Sequence, residues 1–253
     1  MFLEIKGLTK YFAGLAAITD LDMHVDKGEV VGLIGPNGAG KTTLFNLITG
    51  FLRPTKGKVL FEEKDVTGKP PHVIAKLGIG RTFQLVPHFP EFTTLQNVMA
   101  SFHVYPVSSL WDTFWNTATY RKNEQYILGK SIEILSLVGL DHVRDELSKN
   151  LPHGYQKMLS IARALAVSPK LLLLDEPIAG MNPDEIDFTM KAISKTNERG
   201  VTILLVEHNM QIMNLCDRIV VINFGHKIAE GSLAEVRANL EVNKAYFGDD
   251  DGA

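Results

Sequence analysis

The sequence lacks several features that would assign the protein to a particular class. It has one cysteine, Cys216, among 253 residues, so no internal disulfide can form, and its start, MFLEIKGLTK, has no apolar core of signal-peptide length. No apolar run approaches the roughly 20 residues that cross a bilayer. A formal net charge of -3 gives no overall basic field for nucleic acid. We therefore expect a cytoplasmic protein that does not bind nucleic acid and meets membranes only through a partner.

The order of strand-like and helix-like segments predicts an α/β fold. Three short runs near the start, FLEIKGL, ITDLDMHV and KVLFEE, indicate an antiparallel layer. From residue 156 onward helical patterns alternate with strands such as KLLLLDE, VTILLVE and RIVVINF, which is typical of a parallel sheet. The proline-punctuated segment from about 86 to 151 predicts a mainly helical insertion. The spacing of LAEVRANLEVNKAYF allows an amphipathic helix that packs on its own domain.

A phosphate-binding loop is the strongest chemical signal. GPNGAGKTT fits the pattern G-x-x-x-x-G-K-[ST] and lies between a strand-like EVVGLI and a helix-like KTTLFNLITGFL. Glycines let backbone N–H groups turn towards a polyphosphate, and the helix start adds positive potential. The candidate phosphate-binding residues are Gly35, Pro36, Asn37, Gly38, Ala39, Gly40, Lys41, Thr42 and Thr43. Lys41 is expected to reach the β and γ phosphates, and the Thr42 hydroxyl to hold Mg²⁺. Kinases, GTPases, helicases and transport ATPases all use this loop.

Two carboxylates follow an apolar run in LLLLDEPIAG, which begins at Leu171. Four leucines indicate a strand buried on both faces of a parallel sheet, and ligands bind at the carboxyl ends of such strands. Burial makes an uncompensated carboxylate costly, so we assign Asp175 to Mg²⁺. Successive strand residues point to opposite sides, so Glu176 needs another role. We assign it the attacking water, as the base that takes its proton.

These motifs resemble the ATP-binding subunits of ABC transporters over nearly the whole length, and most closely those of bacterial branched-chain amino acid importers. The likeness is carried by RTFQLVPHFPEFTTLQNV, LPHGYQKMLSIARALAVSPKLLLLDEPIAGMNP and LLVEHNMQIMNLCDRIVVINFGHKIAEG. The resemblance implies that Gln84 meets Mg²⁺ and the attacking water, and that His208 contacts the γ-phosphate. It also implies that Phe12, or alternatively Tyr11, stacks on adenine.

The resemblance further implies a head-to-tail dimer, in which a second helix start of one subunit closes over ATP bound to the other. The residues expected to act across that dimer are His153, Gly154, Tyr155 and Asn182. The family's usual Leu-Ser-Gly-Gly-Gln reads here as LPHGY from Leu151, without the serine hydroxyl, and Pro152 removes one N–H donor. Asn182 stands where an aspartate is common. The second subunit is expected to be this chain or a paralogue.

The resemblance implies an α/β P-loop ABC ATPase fold with a mixed, largely parallel RecA-like core, an antiparallel β layer and a helical subdomain. We expect one domain over 1–253, with a nucleotide-binding core at 1–85 and 156–253 and a helical subdomain at 86–155.

The implied protein is an ATPase that uses Mg-ATP to drive membrane permease subunits, which dock on the helical subdomain at the inner face of the membrane. Branched-chain amino acids are the expected cargo. The alternatives are a urea or amide importer, a lipid exporter, a non-transport ABC ATPase, a kinase, and a nucleotide-operated module that hardly turns over.

Overall fold

The strands form two sheets in the computed structural model, which describes residues 1–83, 88–102 and 118–247. Residues 246 and 247 are described by their backbone only. The strands are β1 Leu3–Phe12, β2 Leu15–Val25, β3 Val30–Ile34, β4 Lys56–Phe61, β5 Lys64–Asp65, β6 Ile79–Arg81, β7 Leu171–Asp175, β8 Thr202–Val206, β9 Arg218–Asn223 and β10 His226–Gly231. The helices are α1 Lys41–Ile48, α2 Pro71–Leu77, α3 Thr94–Ser101, α4 Ala118–Leu137, α5 His153–Ala166, α6 Pro183–Glu198, α7 Met210–Met213, α8 Leu233–Ala238 and α9 Leu240–Phe247. Two 3₁₀ turns lie at Asp141–Val143 and Ser148–Asn150.

The smaller sheet is the predicted antiparallel layer, with strand order β2-β1-β4-β5. The larger sheet has the order β10-β9-β3-β8-β7-β6, and every neighbouring pair in it is parallel except β10 with β9. This combination confirms the predicted mixed fold. Because β3, β7 and β8 are parallel neighbours, the residues that follow them meet at one edge of the sheet.

The four consecutive leucines of β7 lie in the hydrophobic core. All five residues of β7 are buried, as are those of β3 and β8, so the strand is covered on both faces as its composition predicted. Apolar side chains of both sheets and of α1 form one continuous cluster, which includes Leu3, Leu33, Phe45 and Leu173. This packing fixes α1, and with it the preceding loop, against the larger sheet.

The described residues divide into two compact units. The first contains residues 1–81, 170–176 and the described residues from 197 onward, and the second contains the described parts of 82–169 together with 177–196. The sequence interpretation placed 156–169 and 177–196 in the nucleotide-binding core. In the structure these residues group with the helical segments. α5 packs against α3 and α4, and α6 contacts α5, where Thr189 Oγ1 lies 3.0 Å from Met158 Sδ.

The segment LAEVRANLEVNKAYF forms two helices rather than one. Asn239 has an extended backbone (φ -76°, ψ 120°) between α8 and α9. Its side-chain Oδ1 accepts hydrogen bonds from the N–H groups of Glu241 and Val242, at 2.8 and 3.3 Å. Asparagine is a strong N-cap, so it starts a new helix instead of continuing the old one. The predicted packing is observed, since both helices contact β10 and bury Val236 and Val242.

Candidate nucleotide site

Tight backbone contacts hold the glycine-rich loop between β3 and α1. A Cβ atom on Gly35 would lie 2.1 Å from the carbonyl oxygen of Ile222, and one on Gly40 would lie 2.5 Å from the carbonyl oxygen of Ala17. Gly40 also has φ +105°, which L side chains rarely adopt. The two motif glycines are therefore required by the packing of the first unit as well as by any ligand.

The loop ends at a helix start that carries positive potential. Gly40 is the N-cap of α1, makes no side-chain cap, and no acidic residue lies in the first turn. Lys41 Nζ donates to the carbonyl oxygens of Gly35 and Pro36, at 2.5 and 2.9 Å. The ammonium group thus lies across the loop beside the helix N-terminus, an arrangement that attracts phosphate.

Lys41 also connects the loop electrostatically to the two acids. Burial lowers the pKa of Lys41, and the charges of Glu176 and Asp175 oppose that shift by raising it. Both carboxylates are therefore close enough to the ammonium group to change its protonation. The loop and the end of β7 form one charged site within the first unit.

Asp175 has a partner that sequence reasoning missed. Arg81, at the end of β6, places Nη2 3.1 Å from Asp175 Oδ2, and both side chains are almost fully buried. Arg81 Nη1 also donates to Asn46 Oδ1 on α1 at 2.7 Å and to Oγ1 of Thr49, the C-cap of α1, at 3.2 Å. Burial raises the pKa of Asp175, whereas the hydrogen bond and charge of Arg81 lower it. The carboxylate is thus compensated by an arginine in the protein itself, where the sequence interpretation had invoked only a metal ion.

Glu176 lies beyond the end of β7. The expectation that its side chain points to the opposite side of the sheet from Asp175, as in successive strand residues, therefore does not apply to it. β7 ends at Asp175, and Glu176 has φ +48°. Its N–H donates to the carbonyl oxygen of Val206 on the neighbouring strand β8, at 2.9 Å. A non-glycine residue in the left-handed region stores strain that the surrounding structure must hold, and such residues cluster at functional sites. Although they are adjacent in the chain, Glu176 and Asp175 both raise the pKa of Lys41.

His208 follows β8 at the same edge. Its imidazole is 66% exposed, and its backbone N–H donates to Oε2 of the buried Glu207 at 3.1 Å. Imidazole Nδ1 lies 3.8 Å from the same oxygen. The ring is therefore accessible to a ligand while its backbone is anchored. Glu207 is a second buried acid that sequence reasoning did not consider.

Phe12 ends β1, paired with Leu15 at the start of β2. Phe12 is 42% exposed, and Lys10 Nζ lies 5.1 Å from its ring centroid. Tyr11 is exposed to a similar extent, so exposure does not separate the two aromatic candidates. Gln84, predicted to face the metal and the water, lies outside the described residues.

In the second unit, the start of α5 carries the LPHGY segment. Pro152 is the N-cap and provides no side-chain bond to the first turn. A Cβ on Gly154 would lie 2.4 Å from the carboxylate of Glu185, so a larger residue here would displace that side chain. Gly180 lies beside the His153 ring, which would be 3.5 Å from a Cβ atom built on this glycine.

The same carboxylate caps the start of α6. Glu185 Oε2 accepts from the Asn182 N–H at 3.0 Å, and Asn182 Oδ1 accepts from the Glu185 N–H at 3.0 Å. This reciprocal capping box satisfies two helix-terminal donors. Asn182 thus has a definite role within its own chain. Tyr155 stacks edge-on against His142, with ring centroids 5.5 Å apart.

The residues of the first unit suit a magnesium ion that is completed by phosphate and water. Mg²⁺ prefers oxygen ligands and commonly takes only one or two protein groups in phosphate sites. Thr42, in the first turn of α1, supplies a hydroxyl oxygen, and Asp175 supplies a carboxylate that acts on Lys41 of the same loop. Among the described residues there is no group of three or more His, Cys, Asp and Glu side chains that could hold a metal alone. The Thr42 hydroxyl and the Asp175 carboxylate are suitable oxygen ligands for a Mg²⁺ ion that is bound together with phosphate.

Comparison with known proteins assigns the site to a family. Residues 18–179 match the family described as ABC transporter. The chain is 39% identical over 249 residues to the high-affinity branched-chain amino acid transport ATP-binding protein BraF of Pseudomonas aeruginosa, with 98% of each chain covered. The chain belongs to the ABC transporter family.

Solved structures place the chain among the ATP-binding cassettes of that family. A nucleotide-free ATP-binding cassette from an ABC transporter is similar at a TM-score of 0.85 and 34% identity, covering 98% of this chain and 99% of that one. A dimeric, post-hydrolysis ATP-binding cassette bound to ADP and Pi is similar at a TM-score of 0.78 and 26% identity, covering 92% and 99%. No helix among the described residues is both long and apolar enough to cross a membrane.

Proposed function

We propose that this chain is the ATP-hydrolysing subunit of an ABC importer. The observation that supports the proposal is the parallel order β3-β8-β7, in which the phosphate loop follows β3 and the two acids lie at the end of β7, at the same edge of the sheet. The charges of Glu176 and Asp175, which raise the pKa of Lys41, agree with that placement. Lys41 and the start of α1 bind the phosphates. Glu176, turned out of the strand, orients a water molecule and accepts its proton. Gln84 and His208 are assigned to the water and the γ-phosphate, as the family likeness implies.

Thr42 and Asp175 are the proposed protein ligands of Mg²⁺, with Gln84 as a third. The ion neutralises charge on the phosphates when it is bound. Arg81 holds the Asp175 carboxylate in place by an ion pair at 3.1 Å and is itself held by Asn46 on α1. Phe12, exposed at the end of β1, is the proposed adenine-stacking residue, as the family likeness implies, with Tyr11 as the alternative.

Replacing the proposed base tests this assignment. Glu176→Gln retains the size of the side chain but cannot accept a proton, so phosphate release should fall by about 100-fold or more while ATP still binds. Glu63→Gln is the matched control, because Glu63 is an exposed turn residue that also has a positive φ, +63°. Normal hydrolysis by Glu176→Gln would refute the role of base.

ATP is proposed to join two subunits, with the helix start at His153, Gly154 and Tyr155 and the nearby Asn182 acting across the dimer. The support is an uncapped, 14-residue helix whose first turn offers backbone N–H groups. Size-exclusion chromatography of Glu176→Gln with and without ATP tests the proposal. An ATP-dependent dimer is expected, and a monomer under both conditions would contradict it.

Permease subunits are proposed to dock on the second unit, around Phe89 and Phe92, at the inner face of the membrane. These two rings are exposed, 5.0 Å apart, and Asn97 fixes the loop by bonding both the N–H and the carbonyl of Phe89. Exposed, paired aromatic rings are typical anchors of protein interfaces. Alanine at either position should reduce transport more than basal hydrolysis. Equal losses would count against docking there.

Branched-chain amino acids are the proposed cargo, supported by the likeness to proteins of that transport class. This choice is tested by measuring the uptake of radiolabelled leucine and of radiolabelled urea in cells with and without the protein. Selective loss of leucine uptake is expected. Selective loss of urea uptake would favour the amide-importer alternative.

A further inference from the structure

Phe224 is an exposed aromatic residue in an unfavourable backbone conformation. It is the first of two residues that join β9 to β10, with φ +44°, and 80% of the residue is exposed. Gly225 follows with φ +79°. Hairpin turns with two positive φ angles favour Asn-Gly or Asp-Gly, because asparagine and aspartate tolerate that region better than phenylalanine does. The turn therefore holds a large apolar ring in solvent, at the expense of backbone strain.

This turn is anchored beside the phosphate loop. The N–H of Gly225 donates to the carbonyl oxygen of Ala39 in the loop, and its carbonyl oxygen accepts from the N–H of Thr19 on β2, both at 3.0 Å. A Cβ on Gly225 would lie 2.7 Å from the carbonyl oxygen of Ala17. The position of Phe224 is thus fixed relative to the loop on one side and to β2 on the other.

Sheet order indicates which part of a nucleotide lies near this turn. The neighbouring strands run β9-β3-β8-β7, with the phosphate loop after β3. The groups assigned to the terminal phosphate, His208 and Glu176, follow β8 and β7, on one side of the loop. The nucleoside must extend to the other side, where β9 ends and Phe224 follows. β2, which is paired with the strand that ends in Phe12, also contacts β10 on this side.

We propose that Phe224 is a second aromatic contact for the base of the bound purine nucleotide, in addition to Phe12. The inference rests on the proposed function and deepens it, since it assigns a base-binding role to a residue outside the family-matched segment. Both aromatic residues belong to the first unit: Phe12 ends β1, and Phe224 follows β9 in the turn that bonds the loop through Gly225. Contact with a flat base would remove the exposed ring from water and would account for keeping phenylalanine in a strained turn.

Binding measured with two ligands tests the proposal. Phe224→Asn removes the ring and suits the left-handed backbone, so the turn should remain folded, with thermal stability unchanged or raised. Its affinity for ATP, measured calorimetrically without Mg²⁺, should fall by about 5- to 100-fold, which is the range for losing one stacked base. Affinity for inorganic tripolyphosphate, which has no base, should be unchanged. Phe224→Tyr should retain ATP affinity, as should Tyr126→Asn, a control at an exposed aromatic residue on α4.

Three results would overturn the inference: unchanged ATP affinity in Phe224→Asn, equal losses for ATP and tripolyphosphate, or loss of ATP-dependent dimerisation alone. The last result would make Phe224 a subunit contact instead. Failure of the proposed function looks different. In that case the unaltered protein would bind neither ligand, or Lys41→Ala would bind both as well as the unaltered protein does.

Discussion

Nη2 of Arg81 lies 3.1 Å from Oδ2 of Asp175, and the two side chains are 6% and 5% exposed. Because Arg81 also donates to Asn46 on α1 and to the C-cap residue Thr49, this buried ion pair connects three elements around the phosphate loop: β6, β7 and α1. Removing one partner of such a pair leaves the other charge buried without compensation.

Arg81→Met is therefore expected to lower the free energy of unfolding by about 3 kcal/mol or more. Arg81→Lys, which restores the charge without the planar fork, should recover part of that loss. Urea denaturation measures both, and Arg237→Met, at an exposed arginine of α8, is the control. A loss no larger than that of the control would show that the pair adds nothing to stability.

Alanine at Gly40 should be more damaging than alanine at Gly38. Both residues have positive φ, but a Cβ at Gly40 meets a backbone oxygen at 2.5 Å, whereas a Cβ at Gly38 has no atom within 4 Å. We expect about 1 kcal/mol of backbone strain for Gly38→Ala and about 3 kcal/mol for Gly40→Ala. Thermal unfolding of the two variants tests the difference. Equal destabilisation would mean that backbone strain alone determines the effect.

Gly154→Ala should couple to Glu185. The new Cβ would displace the carboxylate that caps α6, so the single variant should lose about 1–2 kcal/mol. Glu185→Ala loses the cap but relieves the crowding, so adding Gly154→Ala to it should cost little more. A double-mutant cycle on unfolding free energies measures the coupling. Additive losses would show that the two residues do not interact.

Cys216 should remain a thiol over the whole physiological range. Burial, with the charge of Asp217 second, raises its pKa from 9.0 to about 12. The folded state therefore keeps a proton that the unfolded state releases above pH 9, so stability should fall as pH rises from 9 towards 12, by about 1.4 kcal/mol per pH unit from this group. Urea unfolding at pH 8 and pH 10 should show a smaller drop for Cys216→Ala. An identical drop would refute the assignment.

Sequence patterns predicted the elements whose signals are local. The leucine run became a strand buried on both faces, the loop pattern became a strand-loop-helix unit, and the early alternating segments became an antiparallel layer. Each of these follows from periodicity or turn chemistry within a few residues.

Features that depend on distant contacts were not predicted. Arg81 is 94 residues from Asp175, and no pattern near either residue identifies the other. The left-handed turn at Glu176 depends on a bond to the neighbouring strand. The break at Asn239, in contrast, has a local signal, because an asparagine followed two residues later by a glutamate favours a helix start. The continuous apolar spacing of the segment led instead to the prediction of a single helix.

Gly40, Gly154 and Gly225 differ in whether a second substitution could make room for a side chain at the glycine position. The atom that crowds Gly40 and Gly225 is the carbonyl oxygen of Ala17, which every amino acid carries, so no exchange at position 17 removes it. At Gly154 the crowding atoms belong to a glutamate side chain, which a second mutation can shorten. A lineage can therefore drift at 154 if 185 changes with it, whereas 40 and 225 have no compensating partner at position 17.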